Sequence, residues 1–570
     1  MKRRRWLVVD REDETVAALR QATGLHPVVS RILVNRGITS KDEADRFLRP
    51  SEGYLPSPFL LPGMEAAVQR VELALSRGEE ILILGDYDVD GISSTSLLLL
   101  ALRSFNARVS YLIPERTQDG YGLNSHTASR IAELKPALVI TVDCGITSID
   151  GAAILTSNGI DLVITDHHEP GDSLPDALAV INPALPGHGY PFRELAGVGV
   201  AMNLAMALAQ RLGAQLPALY DLVALGTIAD VMPLKGVNRI FAKLGLELMN
   251  GGARPGITAL KRVADYEGKT VGAGTIGFQL APRVNAAGRL GKGDICVRLL
   301  TTESHDEAMK IAAYLDQQNR RRQEIEEGIL KEARSEVLSK YRGDSWGAYV
   351  LASSRWHQGV IGIVASRLVE EFYRPTVLIS INNGMGKGSA RSIPAFHLFD
   401  GLHECRSSLE EMGGHKYAAG LRIREDRIEE FRQNLNTVAL QRLKPEDFIP
   451  TIKIDTAMEA EELTFELLAE LQLLGPFGAA NPEPVFCLHE VRAVNPRIVG
   501  KNHLKLMLQR DKNSFEAIGF KMGELAKPLS GREGREIAAA FTLQENSWNG
   551  RRSLQVHIRD IRLPGTESGI

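Results

Sequence analysis

Asp86, Asp88 and Asp90 place three carboxylates within five residues of the stretch Gly85-Asp-Tyr-Asp-Val-Asp-Gly91. Like charges so close together repel, and hard oxygen donors of this kind are relieved by a divalent cation such as Mg²⁺ or Mn²⁺. Further groups of the same character follow: Asp143 in Val142-Asp-Cys-Gly145, the run Asp166-His-His168, and Asp230 after Ala229. Carboxylates together with imidazole are what a two-metal phosphoesterase requires. Simpler readings exist for each group alone. Asp-x-Asp-x-Asp-Gly also opens an EF-hand loop, but that loop needs a preceding helix and a Glu at its twelfth position, where this chain has Leu97. A carboxylate after a strand is often a helix cap, and a histidine pair is often a polar turn.

The elements that must position these groups are legible as a series. Ile81-Leu-Ile-Leu84 has the length and branching of a buried parallel strand, and residues 92–103 after Gly91 read as a helix. Residues 107–113, 138–142 and 162–165 are further short apolar strands separated by helical patterns. Such alternation predicts an α/β fold with a doubly wound parallel sheet, whose strands end on one edge. Asp86 to Asp90, Asp143 and Asp166-His-His168 are thereby expected to meet. Asp230 follows a helical segment shortly before Pro233.

The remaining sequence bounds the class. With 570 residues, 44% hydrophobic and 24% charged, the chain is an ordinary globular protein of several domains. No apolar run approaches the roughly 20 residues of a membrane span, and residues 1–10 hold no signal-peptide core, so no membrane partner is expected. Cys144, Cys296, Cys405 and Cys487 are scattered, which predicts a reducing cytoplasm and no zinc site. A net charge of −3 neither announces nor excludes a nucleic-acid partner, because basic residues can line a groove apart from an acidic cluster.

Residues 1–60 read as an N-terminal helical segment, with helices at 27–37 and 40–48, and 61–300 as the acidic sheet domain. Residues 301–342, rich in Glu, Arg, Lys and Gln, read as a long, solvated connecting helix. A second α/β domain is expected over 343–445. Its glycine-rich turns near Lys387, Ser389, Arg391 and His415 let backbone approach a phosphate. His357 reads either as a substrate contact or as a residue that orders its loop. Over 446–570, short period-two strands at 451–455, 485–488, 504–508, 515–520, 537–541 and 554–558 predict an OB-like β-barrel. Arg492, Arg497, Lys501, Lys505, Arg510, Arg551 and Arg552 would give it a basic face, with Trp548 available for stacking.

In order, Asp86-Tyr-Asp-Val-Asp-Gly91, Val142-Asp-Cys-Gly145, Asp166-His-His168 and Ala229-Asp230 resemble the four motifs of the DHH phosphoesterase superfamily. The length, Tyr190-Pro-Phe-Arg-Glu-Leu-Ala-Gly-Val-Gly-Val200 and Pro282-Arg-Val-Asn-Ala-Ala-Gly-Arg289 resemble its bacterial single-strand-specific exodeoxyribonucleases. That resemblance implies a DNA repair and recombination enzyme that releases 5′ mononucleotides in the 5′→3′ direction with two Mn²⁺ or Mg²⁺ ions. It implies that Asp88 and Asp90 hold one metal each and Asp143 bridges, that His167 and Asp230 complete the second site, and that Asp86 is a further ligand. Asp166 would orient the histidines, and His168 and Arg289 would act at the scissile phosphate. Arg116, Arg283, Asn285, His357, Gly413, Gly414 and His415 would contact substrate, with the terminal 5′ phosphate against Arg116, Ser389 and Arg391. The implied partners are single-stranded DNA, a single-strand-binding protein and a RecQ-type helicase, for a cytoplasmic monomer. The alternative is a phosphoesterase of short oligonucleotides or small phosphate compounds, which predicts a chain without the barrel after residue 450.

Overall fold

A computed structural model describes residues 4–9, 13–115, 120, 122–252, 254–288, 293–341, 345–530, 536–548 and 550–563. The chain forms two compact units, Arg11–Asn319 with Leu463–Pro484, and Met1–Asp10 with Arg320–Glu462 and Val485–Ile570. Strand β1 (Arg5–Val8) therefore belongs to the second unit, and the helical expectation for the first residues gives way to a strand.

In the first unit, strands β2 (Glu80–Gly85), β3 (Arg108–Leu112), β4 (Leu138–Val142), β5 (Asp161–Thr165) and β6 (Ala179–Ile181) form a parallel sheet in the order β3-β2-β4-β5-β6. The apolar run of β2 is buried on both faces because helices cover both. Ile81 and Ile83 pack with helices Val89–Ser104, Gly197–Leu212 and Tyr220–Ala229, while Leu82 and Leu84 pack with Ser125–Leu134 and Ile149–Ser157. After β2 the chain steps outward to β3 and then returns to β4 on the other side. That reversal is a topological switch point, beyond whose carboxyl ends open α/β sheets bind ligands. Asp86 to Asp90 follow β2 and Asp143 follows β4, one on each side of the switch.

Helices Glu14–Thr23, Pro27–Asn35 and Lys41–Leu48 precede the sheet, and Ser40 with Glu43 closes the last in a capping box. Helix Phe465–Leu473 belongs to this unit too, and Arg239 holds its end. The guanidinium, 2% exposed, donates to the carbonyls of Phe47 (2.7 Å), Leu474 (3.0 Å), Leu473 (3.1 Å) and Gly475 (2.7 Å) and lies 3.8 Å from the Phe47 ring centre. A cation at the carbonyl end of a helix is favourably placed. Burial, with help from Arg36, lowers the Arg239 pKa to about 9.

Helix His305–Lys340 is continuous, and it is not the fully solvated bridge its charges suggest. Ala308, Ala312 and Leu315 join the core of the first unit, and Ile329, Ala333 and Val337 join a core of the second. The second unit contains β7 (Tyr349–Ser353), β8 (Thr376–Asn382), β9 (Met385–Arg391), β10 (Glu411–Gly414) and β11 (Ala418–Arg424), in the order β10-β11-β9-β8-β7. Residues 385–391, expected as a turn, are the extended strand β9. A Cβ on Gly386 would meet Ile379 at 2.6 Å and one on Gly388 would meet Leu421 at 2.5 Å, so the glycines face the core and Lys387, Ser389 and Arg391 face away from it.

Strand β12 (Thr451–Ile454) is not a barrel strand but pairs in parallel with β1. After β13 (Thr456–Ala457), the barrel is built from β14 (Phe486–Val499), β15 (His503–Arg510), β16 (Asn513–Gly519), β17 (Glu536–Trp548) and β18 (Arg551–Arg562), closed by the β14–β17 pairing. Lys505, Arg510 and Arg552 of the expected basic face pair with Glu516, Glu459 and Glu545, which leaves that face less positive than a count of its cations implies. The Trp548 and Arg551 side chains lie outside the described residues. Among the described residues no helix is long and apolar enough to cross a membrane.

Candidate active site

Beyond β2 the chain turns back sharply, and glycine is required at the turn. A Cβ on Gly91 would sit 2.6 Å from the Asp86 carbonyl oxygen. Asp88 is the N-cap of helix Val89–Ser104, accepting from the amides of Asp90 (2.9 Å) and Gly91 (3.0 Å). Its capping role coexists with a place in the acidic cluster, where one of its oxygens lies within 4.8 Å of oxygens of Asp86 and Asp143. Asp90 is buried and held by the amino end of helix Gly197–Leu212, with Gly197 N donating to Oδ2 at 2.7 Å and Val198 N to Oδ1 at 2.9 Å. Asp143 leaves β4 with a φ of 61°, a left-handed conformation that Asp tolerates better than most residues. Its amide donates to Thr165 O at 3.0 Å.

These geometries bring the expected ligands together in groups. Asp86, Asp88 and Asp143 offer oxygens within 4.8 Å of one another, and so do the ligand atoms of Asp90, His167 and Asp230 and those of Asp143, His167 and His168. His167 Nε2 lies 3.1 Å from Asp143 Oδ1, 3.7 Å from Asp230 Oδ2 and 3.9 Å from Asp90 Oδ2. Asp166 is saturated by hydrogen bonds. Its Oδ1 accepts from the amides of His167 (2.7 Å) and His168 (3.1 Å) and pairs with His168 Nδ1 at 2.7 Å, and its Oδ2 accepts from Ile146 N at 2.9 Å.

Burial pushes Asp90 and Asp143 well above the ordinary carboxylate range, and neighbouring carboxylates add to it: Asp230 and Asp88 for the first, Asp90 and Asp88 for the second. Burial and Asp88 bring Asp230 to about 7. His167 is held neutral, its pKa lowered to about 4 by burial and by His168. His168 is raised to about 9 by its hydrogen bond to Asp166. At Asp166 burial alone would raise the pKa, but the His168 partner and the backbone amides outweigh it and lower it.

The site fits divalent cations. Asp143 Oδ1 is buried, accepts no aligned hydrogen bond, and faces a neutral imidazole nitrogen, the protonation state a metal ligand needs. Sequence reasoning overlooked Gly197, Val198 and Gly226. A Cβ on Gly197 would come 2.6 Å from Asp143 Oδ1, and one on Gly226 2.6 Å from Asp90 Oδ1. The signal for Gly197 and Val198 is Gly-Val-Gly-Val at the start of a helix, and Gly226, inside a helix, has none of that kind.

Other expected substrate residues divide. Arg283 donates to Asp316 (3.0 Å), Gln279 O (2.6 Å) and Val263 O (3.4 Å) within the first unit. Asn285 is half-buried on helix Ala281–Gly288. Arg116 and Arg289 lie outside the described residues. In the second unit, Ser389 is in register with Gly420, which pairs with Gly413, and Arg391 is in register with Ala418, whose carbonyl accepts from His415 N. One band across three strands thus carries Ser389, Arg391, Gly413, Gly414 and His415. A Cβ on Gly362 would lie 2.9 Å from Ser389 Oγ and 3.3 Å from Arg391 Nη2, so the first turn of helix Ile361–Phe372, which has no side-chain cap, abuts the band. Burial lowers the Arg391 pKa. His357 is exposed and accepts from Gly359 N at 3.1 Å.

A parallel sheet that gathers five carboxylates and two histidines beyond its switch point is the arrangement of a DHH phosphoesterase. Family models agree: the DHH family N-terminal domain matches residues 80–227, the DHHA1 domain 346–440 and the RecJ OB domain 454–560. The single-stranded-DNA-specific exonuclease RecJ of Bacillus subtilis is 39% identical over 563 residues, covering 98% of this chain and 71% of its own. That of Escherichia coli is 38% identical over 560 residues, covering 94% and 96%. The crystal structure of Thermus thermophilus RecJ in complex with Mn²⁺ matches with a TM-score of 0.84 at 32% identity, over 98% of this chain and 80% of that one. The corresponding Mg²⁺ complex matches with a TM-score of 0.79 at 31% identity, over 98% and 78%. The chain belongs to the RecJ family.

Proposed function

We propose that this chain is a metal-dependent exonuclease of single-stranded DNA that digests from the 5′ end and releases 5′ mononucleotides. The observation that carries the reading is the pair of ligand groups, Asp86–Asp88–Asp143 and Asp90–His167–Asp230, joined by the 3.1 Å approach of Asp143 to His167. Two divalent cations, Mn²⁺ or Mg²⁺, supply a water of lowered pKa and neutralise charge on the phosphate when bound. Asp88, Asp90, Asp143, His167 and Asp230 are the ligands, with Asp86 a further one. Asp166 fixes His168 through Nδ1 and leaves Nε2 to donate to a phosphate or leaving oxygen. Arg289 and Arg116 are retained as phosphate clamps by resemblance.

Polarity rests on the band in the second unit. Ser389 and Arg391 beside the uncapped first turn of helix Ile361–Phe372 form an anion pocket, since backbone amides at a helix start and a guanidinium both favour phosphate. We assign it the terminal 5′ phosphate, with Gly413, Gly414, His415 and His357 along the strand. The OB barrel holds the continuing strand. An oligonucleotide labelled at either end, single-stranded and then duplexed, with Mn²⁺, Mg²⁺ or EDTA, tests the whole reading. Loss of the 3′ label first, digestion of the duplex, or persistence in EDTA would each refute a stated part. A single-strand-binding protein and a RecQ-type helicase are the proposed partners of a cytoplasmic monomer, on the family resemblance, and co-sedimentation tests them.

A further inference from the structure

Val231, the residue after Asp230, stands where the chain leaves helix Tyr220–Ala229. Val231 N donates to Ile228 O and Met232 N to Thr227 O, both at 3.2 Å, the bond pattern of a Schellman helix end. That pattern requires a left-handed residue, and Val231 supplies it with a φ of 59°. Glycine is the favoured residue there, and a β-branched side chain with this φ is an outlier. A glycine would keep both hydrogen bonds and relieve the strain. Packing does not account for the valine either, because Val231 is 71% exposed.

Helix Tyr220–Ala229 also packs against the π-helical turn Ile276–Leu280, whose Phe278 is 81% exposed. Phe278 and Val231 are the two most exposed large apolar side chains among the described residues, one on that turn and the other two residues beyond the end of the helix the turn packs against. Asp230, one residue from Val231, lies 3.7 Å from His167. Strained residues and π-helical turns both concentrate at functional sites, where the side chain has a use that folding does not explain.

We propose that Val231 is a substrate-contact residue: its isopropyl group packs against the apolar face of the sugar and base of the nucleotide whose phosphate occupies the acidic centre, with Phe278 extending that apolar surface. The inference rests on the exonuclease reading. Every base offers an apolar face, so a side chain with no hydrogen-bonding group grips a strand without choosing its sequence. The carboxylates and cations would take the phosphate, and Val231 the remainder of the same nucleotide.

The test uses the full chain loaded with Mn²⁺ and 5′-phosphorylated single strands. Val231→Gly should melt no lower than the unaltered protein, and higher if the strain is fully relieved, while KM rises about three- to tenfold through lost apolar burial and kcat stays within about twofold. Val231→Ala should show an intermediate KM and Val231→Ile an unaltered one. Phe278→Ala should raise KM on the same strands. An unaltered KM in Val231→Gly would overturn the proposal. A fall in kcat together with weaker Mn²⁺ binding would overturn it too, since Val231 would then act by positioning Asp230. If the unaltered protein leaves single strands intact, the exonuclease reading fails, and this proposal with it.

Discussion

Replacing Asp143 by Asn should abolish hydrolysis and yet stabilise the metal-free protein. Asn tolerates the left-handed φ of 61° that Asp143 adopts, so the change removes charge without adding backbone strain. Oxygens of Asp86 and Asp88 lie within 4.8 Å of one from Asp143, and at that separation, with an effective permittivity of about 20, each like-charge pair costs about 3 kcal/mol. Relaxation and partial protonation reduce the net gain to about 1–3 kcal/mol, or about 2–6 °C in melting temperature. The sign with pH follows from the raised pKa values of Asp90, Asp143 and Asp230. The stabilising, protonated state is fully present below the ordinary value of 3.8 and is lost as pH rises, for Asp230 through about 7. In EDTA at pH 8, therefore, Asp143→Asn should melt above the unaltered protein, and the gap should narrow at pH 5. Added Mn²⁺ should reverse the order, since binding at a hundredfold excess over Kd contributes about 2.7 kcal/mol to the protein that can bind it. Differential scanning calorimetry with and without Mn²⁺, beside an oligonucleotide digestion, measures all three. A variant that melts lower in EDTA, or that keeps the Mn²⁺ shift, would refute the reasoning.

Arg391→Ala should slow digestion of 5′-phosphorylated strands far more than 5′-hydroxyl strands, since a charge-assisted contact contributes about 1.5–3 kcal/mol; equal slowing would remove the pocket assignment. Asp166→Asn should return His168 from about 9 toward 6.5 in the metal-free protein, because the hydrogen bond to Asp166 is the largest cause of the shift. Histidine proton resonances followed through pH check this, and an unaltered midpoint would contradict it. Arg239→Met should destabilise the first unit by about 3 kcal/mol, because four carbonyls lose a buried donor. Thermal melting reads the loss, and early proteolysis within 463–484 should accompany it.

Most of the candidate metal centre was legible because Asp86 to Asp90, Asp143 and Asp166 to His168 follow apolar runs too short and too β-branched to be anything but strands, and parallel topology then brings their ends together, while Asp230 comes from a helix end. Strand β6 has only three residues and no pattern, so it was missed. The Asp90 clamp was missed for a different reason: Gly197 and Val198 act through backbone amides, 107 and 108 residues away, and a glycine-rich helix start does not say which carboxylate its amides meet. Strand β9 looked like a turn because its inward positions are glycines, which hide the period of two that Ile or Val would have displayed. In helix His305–Lys340 the numerous charges masked a stripe of Ala308, Ala312 and Leu315, continued by Ile329, Ala333 and Val337. The pairing of β12 depends on a partner at the other end of the chain, which no local pattern reveals.

That pairing has a consequence for biosynthesis. Trp6, on β1, donates its indole N–H to Asp560 at 2.8 Å across 554 residues of sequence. At roughly 5–20 residues per second, a ribosome separates the two by about 30–110 s. Until β12 emerges, earlier in that interval, β1 is a strand without its neighbour, the kind of open edge that invites aggregation. The first unit also waits, since residues 463–484 must emerge before Arg239 finds its carbonyls. Order of synthesis and order of assembly therefore differ in both units, and a nascent chain of this protein depends on protection until almost its last residue is made.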